Sequence, residues 1–136
     1  MTRRAAAGYR AVHRASLVDG ATPHALTAML YDGAIARIEL ARRTLQQPVA
    51  DEGVRRRAIA DALAIVQELQ GALRDVESNA LSARLFPLYQ WICARLLSAG
   101  ADRDAAALDE AQALLEPLRD AWRRIAPDTV GGARHD

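Results

Sequence analysis

Three histidines and one cysteine are the residues of this sequence whose chemistry would best suit metal binding or catalysis. His13, His24 and His135 are scattered, and none follows a glutamate by three residues, the spacing that supplies metal ligands in di-iron helical bundles. A single cysteine, Cys93, with scattered histidines makes no zinc site. The sequence therefore predicts no catalytic residue, no metal site and no cofactor.

His24 leaves one enzymatic alternative open, phosphoryl transfer through a histidine on a helical bundle. It lies in the first turn of a predicted helix, whereas such a histidine would be expected at mid-helix. We therefore interpret His24 as a solvated residue at a helix start. The sequence also lacks a glycine-rich phosphate loop, and its serines lie in no nucleophile-elbow motif.

The composition argues against several classes of partner. The chain has 136 residues, which suggests one domain, and its net charge of +1 gives no argument for nucleic-acid binding. Its uncharged runs are shorter than the roughly 20 residues that a membrane-spanning helix needs, so we expect no membrane insertion. With one cysteine and no apolar secretory signal, we expect a cytoplasmic protein.

Apolar residues repeat at three- and four-residue spacing in four successive segments, and no segment alternates as a strand does. The predicted helices cover residues 22–45, 51–77, 80–98 and 102–125. Joined by short loops, they predict an all-α fold, an antiparallel four-helix bundle of residues 22–126. We expect residues 1–21 to form a short segment or helix packed on the bundle, and residues 127–136 a flexible tail.

Capping residues and prolines predict where these helices begin and end. Thr22 is a good N-cap for the first helix, with Pro23 at the first helical position. Asp102 is the predicted N-cap of the fourth. Pro87 predicts a kink or a late start in the third helix, and Gly100 predicts its left-handed end.

The first predicted helix is apolar over a wider arc than one core contact requires. The arc spans roughly 220°, whereas a helix that lines one side of a small core needs about 100°. The predicted core stripe consists of Leu26, Leu30, Ile38, Ala41 and Leu45. The remaining apolar residues form what we call the outer stripe: Met29, Gly33, Ala36 and Leu40. We predict that the outer stripe binds a partner helix, unless it packs on a neighbouring helix of the bundle itself.

The second predicted helix carries two features outside its main apolar face. Ile59 and Leu63 extend that face and predict a further partner-binding groove. Arg55, Arg56 and Arg57 form a basic run, which we interpret as a solvated helix face; contact with an acidic partner is the alternative.

Several short patterns resemble, in order, the helices of the FliS family of flagellar secretion chaperones, the flagellin-specific export chaperones. Tyr9 is similar to an N-terminal tyrosine of that family. Several residues depart from its pattern. Arg37 stands where a large apolar residue is usual, Asp61 where a basic residue is common, and Gly100 where an asparagine is common. The segments that carry the resemblance are residues 22–23 with 29–35, 62–69, 85–89 with 94–99, 104–110 with 114–115, and 121–122. Each is short, but their order and spacing together are specific.

The resemblance implies a non-enzymatic chaperone. It implies binding of the disordered C-terminal region of flagellin in the cytoplasm, protection against premature polymerisation, and delivery to a component of the flagellar type III export gate. It also implies that client segments lie in grooves on the outside of the bundle. We expect residues 1–21 to act as a lid, with Tyr9 and Val12 laid against the outer stripe until the client displaces them.

A generic helical adaptor or homodimer remains the alternative function. In that case the outer stripe is an ordinary dimer interface and no flagellin is bound. A one-to-one complex with a flagellin fragment supports the chaperone, whereas a dimer indifferent to the fragment supports the adaptor.

Overall fold

The structure, a computed structural model, describes residues 22–47, 51–73, 76 and 78–125. These residues form four helices: α1 (Pro23–Gln46), α2 (Glu52–Gly71), α3 (Ala80–Asp102) and α4 (Ala105–Arg124). No strand occurs among them, which confirms the all-α prediction. The predicted N-terminal segment and C-terminal tail lie outside the described residues.

The four helices form a bundle in which each packs against two neighbours, α1 against α2 and α4, and α3 against α2 and α4. Neighbours run antiparallel. The start of α1 meets the end of α4 at His24 and Trp122, and the start of α2 meets the end of α3 at Arg55 and Ala99. The predicted antiparallel four-helix bundle is confirmed. None of the helices in the described ranges is long and apolar enough to cross a membrane.

Side-chain caps fix the beginnings of α1 and α2. The Thr22 hydroxyl accepts a hydrogen bond from the Ala25 N–H at 3.0 Å, and the Asp51 carboxylate accepts one from the Val54 N–H at 3.0 Å. Each bond satisfies a backbone donor that has no partner within the first helical turn. The predicted start of α1, with Thr22 as N-cap and Pro23 in the first turn, is confirmed.

α2 ends at Gly71, earlier than the predicted end at residue 77. Glycine is a poor helix former, and beyond it the Leu73 N–H donates to the Gln70 carbonyl at 3.2 Å in a tighter turn. Leu73 still packs against the core. The apolar repeat therefore continues past the helix end, which is why periodicity overestimated the length of α2.

α3 begins at Ala80 and continues through Pro87. Of the two predicted effects of Pro87, a kink or a late start, the late start is therefore wrong, and the kink stays a prediction. The Asn79 side chain caps the helix by accepting from the Ser82 N–H at 3.0 Å. Pro87 cannot donate to the Ala83 carbonyl one turn earlier, but both residues are exposed, so water can bind that carbonyl instead.

The junction between α3 and α4 lies further along the chain than predicted. Gly100 and Asp102 are both helical; Arg103 takes the left-handed conformation, with φ of 54°, and Asp104 caps α4. The predicted roles of Gly100 and Asp102 are therefore wrong. Gly100 faces α2, where an added Cβ would lie 3.7 Å from the Ile59 Cγ2. That distance is an ordinary van der Waals contact, so the structure shows neither a turn nor a steric need for glycine at this position.

Two tyrosines meet at the centre of the bundle. Tyr31 of α1 and Tyr89 of α3 are 1% and 2% exposed, and their hydroxyls share a hydrogen bond across the bundle. Burial is the main cause that raises the pKa of both phenols above the usual range. The residues packed around them in the core are largely aliphatic, so this hydrogen bond satisfies two polar groups that have little access to water.

Arg55 is buried, so its interpretation as part of a solvated face is wrong. Its Nε and Nη2 donate to the Glu52 carboxylate at 3.0 and 2.6 Å, and its Nη1 donates to the Ala99 carbonyl at 3.1 Å. That carbonyl lies in the last turn of α3, where intrahelical donors run out, so Arg55 caps α3 from the neighbouring helix. Arg56 and Arg57 are exposed, as predicted.

Polar contacts hold α4 against α1. Gln112, 8% exposed, accepts from Arg42 Nη1 at 2.9 Å and donates to Glu39 at 3.2 Å and to Glu116 at 2.8 Å. Arg42 also pairs with Asp109, its Nε lying 2.8 Å from a carboxylate oxygen. These polar contacts lie beside the apolar core that α4 shares with α1.

Candidate functional site

The outer stripe of α1 is accessible to solvent. Met29 is 45% exposed and Ala36 is exposed, while Gly33 and Leu40 are half-buried. Leu40 also packs against the core, so it forms the inner edge of the stripe. The stripe is an apolar surface with two small residues at its middle, where another backbone can approach closely.

The core face of α1 extends beyond the predicted core stripe. Leu26, Ile38 and Ala41 are buried as expected, whereas Leu30 and Leu45 are half-buried. Tyr31, Ala34, Ile35 and Thr44 are also buried. Tyr31 and Ile35 therefore widen the core face on the side away from the outer stripe, whereas Leu40 and Thr44 join the two faces at the other side.

Arg37, at the inner side of the outer stripe, reaches towards α2. Its Nε lies 4.0 Å from the Asp61 Oδ2, and the two side chains are 42% and 20% exposed. The Nε atom itself is buried and has no hydrogen-bond partner in the described ranges. Arg37 is thus held near a carboxylate without a direct hydrogen bond to it from that nitrogen.

Ile59 and Leu63 do not extend the surface formed by the outer stripe. Ile59 is 4% exposed, belongs to the core and faces Gly100 of α3. Leu63 is half-buried, one helical turn after Ile59 and therefore towards α3. Asp61 marks the opposite side of α2, towards α1. The structure does not bring the two predicted patches into one groove, and burial removes Ile59 from an accessible surface.

A further apolar surface lies between α3 and α4, where the sequence reasoning predicted none. Trp91 is 44% exposed, and it lines an open cavity of about 440 Å³ with Glu110, Ala113 and Leu114. The sequence feature that could have indicated this surface is Trp91 itself, a large apolar residue that lies outside the apolar face of α3.

His24 is engaged with α4 rather than solvated. Its ring stacks on the Trp122 ring with centroids 5.1 Å apart, and its Nε2 lies 2.8 Å from the Trp122 carbonyl oxygen. The Trp122 indole N–H donates in return to the His24 carbonyl at 2.9 Å. These contacts fasten the start of α1 to the end of α4, and they occupy the nitrogen that phosphoryl transfer through Nε2 would require.

Cys93 is half-buried, and burial raises the pKa of its thiol to about 11. At neutral pH very little of it is the reactive thiolate. Among the described residues, no three His, Cys, Asp or Glu side chains come together as metal ligands would. Tyr9 and Val12, the predicted lid residues, lie outside the described residues.

Comparison with known proteins relates this bundle to flagellar export. The sequence profile of the family described as flagellar protein FliS matches residues 5–129. The flagellar secretion chaperone FliS of Salmonella typhimurium is 33% identical over 120 residues, which cover 88% of this chain and 87% of that protein. The chain belongs to the FliS family.

Other FliS-family proteins show similar coverage. The flagellar secretion chaperone FliSB of Pseudomonas aeruginosa is 30% identical over 119 residues, 87% of this chain and 92% of that protein. The flagellar secretion chaperone FliS of Bacillus subtilis is 33% identical over 108 residues, 79% and 77% of the two chains. The family resemblance inferred from short sequence patterns is therefore confirmed.

The contact between Arg37 and Asp61 joins two positions at which the sequence departs from the FliS-family pattern described above. Arg37 and Asp61 lie opposite each other on α1 and α2. Their charges are opposite, and at 4.0 Å the two side chains form an ion pair.

Proposed function

We propose that this protein is a cytoplasmic export chaperone that binds the disordered C-terminal region of flagellin. Bound in this way, flagellin is kept from polymerising early and is delivered to a component of the flagellar type III export gate. The observation that carries the proposal is the FliS-family match over residues 5–129, with relatives named flagellar secretion chaperones.

The outer stripe is the proposed client-binding surface. An amphipathic client helix needs an accessible apolar channel that accepts anchors at three- and four-residue spacing. Met29 and Ala36 are exposed, and Gly33 with Ala36 permits a close approach of the client backbone. Met29 is unbranched and adaptable, which suits a surface that meets imperfectly matched segments. Leu63 remains a candidate contact on α2, and Ile59 would support it from the core.

Residues 1–21 are the proposed lid over the outer stripe, with Tyr9 and Val12 as its apolar contacts. Such a lid would compete with the client for the same side chains, so its displacement would be coupled to client binding. The proposed chaperone acts by binding alone, without a catalytic residue, metal or cofactor. The half-buried His24 and the Cys93 thiol with its raised pKa are in keeping with this view.

Co-expression with a flagellin C-terminal fragment from the same genome tests the function. The complex is purified by size exclusion and its mass is measured by light scattering. We expect one chaperone to bind one fragment, and we expect an N-terminal flagellin fragment of equal length, the matched control, not to bind. A homodimer whose mass does not change with the C-terminal fragment would reject the chaperone function in favour of the adaptor.

A further inference from the structure

Arg37 is a charged residue that is incompletely paired within the part of the chain that the structure describes. Its Nε is buried and has no hydrogen-bond partner among the described residues, and the Asp61 Oδ2, 4.0 Å away, is beyond hydrogen-bond distance. The side chain as a whole is nevertheless 42% exposed. The guanidinium can therefore be reached from outside the bundle while the Asp61 carboxylate holds it towards α2.

The neighbours of Arg37 along α1 belong to the outer stripe. Gly33 lies about one turn before it, Leu40 about one turn after it, and Ala36 directly precedes it. A helix seated on the two small residues would therefore also cover Arg37 and displace water from it. A guanidinium carries five N–H donors and no acceptor, so covering it without supplying an acceptor is unfavourable.

The charge at this position consequently discriminates between segments that could lie on the stripe. A segment with only apolar residues over Arg37 would desolvate the guanidinium without compensation. A segment with a carboxylate at the same place would form a charge-assisted hydrogen bond in a partly water-excluded site. We propose that Arg37, oriented by Asp61, selects client segments that carry an aspartate or a glutamate opposite it.

This inference rests on the proposed function, because it requires a flagellin segment on the outer stripe. The protein's own residues 1–21 are the competing occupant. They contain one acidic residue, Asp19, so an intramolecular contact with Arg37 is an outcome that the test must recognise.

The test measures the affinity of the full chain for the flagellin C-terminal fragment by titration calorimetry. Arg37→Gln removes the charge and keeps hydrogen-bonding capacity, and Arg56→Gln is the matched control at an exposed arginine on α2. We expect Arg37→Gln to weaken binding about tenfold or more, and Arg56→Gln to leave it unchanged within about twofold. Thermal unfolding of each variant verifies that it is folded.

A scan of the fragment supplies the measurement that does not depend on a chaperone variant. Each aspartate or glutamate of the fragment is changed to its amide. We expect one of these changes to weaken binding to the wild-type chaperone by about the same factor as Arg37→Gln does. The same change should not weaken binding to the Arg37→Gln chaperone any further. That pattern identifies the carboxylate that contacts Arg37.

Two results overturn the inference while leaving the proposed function intact. One is that the fragment binds wild type and Arg37→Gln with the same affinity, or that every aspartate or glutamate change in the fragment weakens binding to Arg37→Gln as much as it weakens binding to wild type. The other is that Asp19→Asn changes the affinity for the fragment by the same factor as Arg37→Gln, and that the double variant shows no larger change. Arg37 would then contact Asp19 of the protein's own residues 1–21 rather than the client. Absence of any complex with the wild-type chain would instead reject the proposed function itself.

Discussion

The hydrogen bond between Tyr31 and Tyr89 makes a quantitative prediction about the centre of the bundle. Both residues are almost wholly buried, so when one hydroxyl is removed the other has no ready access to water. Leaving a buried hydroxyl without a partner costs about 1–3 kcal/mol, whereas replacing both partners by apolar groups of the same shape is nearly neutral. Tyr31→Phe and Tyr89→Phe should each lower the free energy of unfolding by about 1–2 kcal/mol.

The double variant should then recover most of that loss. We expect Tyr31→Phe/Tyr89→Phe to lie within about 0.5 kcal/mol of the wild type, because the rings keep their packing. The assay is urea denaturation followed by far-ultraviolet circular dichroism, and the slope of unfolding with urea must be the same in all four proteins. A single variant as stable as the wild type, or a double variant that loses the sum of the two single effects, would refute the reasoning.

Three further predictions concern the Arg55 cap and Cys93. Arg55→Ala removes the donor to the Ala99 carbonyl and should lower the free energy of unfolding by about 3 kcal/mol, measured in urea, whereas Arg56→Ala should change it by about 0.5 kcal/mol or less. The hydrogen bond from Arg55 lowers the pKa of Glu52, so the ionised Glu52 stabilises the fold above pH 4.5, its ordinary pKa, and this stabilisation is lost as the pH falls. The difference in free energy of unfolding between wild type and Glu52→Gln should therefore shrink from pH 6 to about pH 3. A difference that stays constant over this range would contradict the prediction. The pKa of Cys93 is about 11 against an ordinary 9.0, so near pH 7.5 the folded protein has about one-hundredth of the thiolate that the unfolded chain has. Iodoacetamide should therefore alkylate Cys93 about 100-fold more slowly in the folded protein than in the protein unfolded by urea. Equal rates would contradict the burial of the thiol.

Apolar periodicity and capping chemistry were sufficient to predict the bundle. The start of α1 could be read from Thr22 and Pro23 because an N-cap depends on local sequence alone. The junction of α3 and α4 could not, because Gly100 stays helical against α2 and Arg103, a residue type that rarely adopts it, takes the left-handed conformation. Arg55 was misread because its acceptor on α3 is distant in sequence.

The candidate site was predicted in part. Periodicity separated the exposed Met29 and Ala36 from the buried Ile38, because both sets follow from the geometry of one helix. It could not say which neighbour each side of a helix meets, so Ile59 was assigned to a groove although it is in the core. The Trp91 surface was missed because it combines residues of two helices.

Binding of flagellin to the outer stripe is tested most directly by one substitution and its matched control. Ala36→Glu places a charged, larger side chain in the middle of the stripe, and Ala94→Glu makes the same change at an exposed position of α3, across the bundle. Titration calorimetry with the flagellin C-terminal fragment should show about tenfold or weaker affinity for Ala36→Glu and an affinity within about twofold of wild type for Ala94→Glu. Unchanged affinity of Ala36→Glu, or an equal loss in both variants, would contradict a client-binding role for the outer stripe.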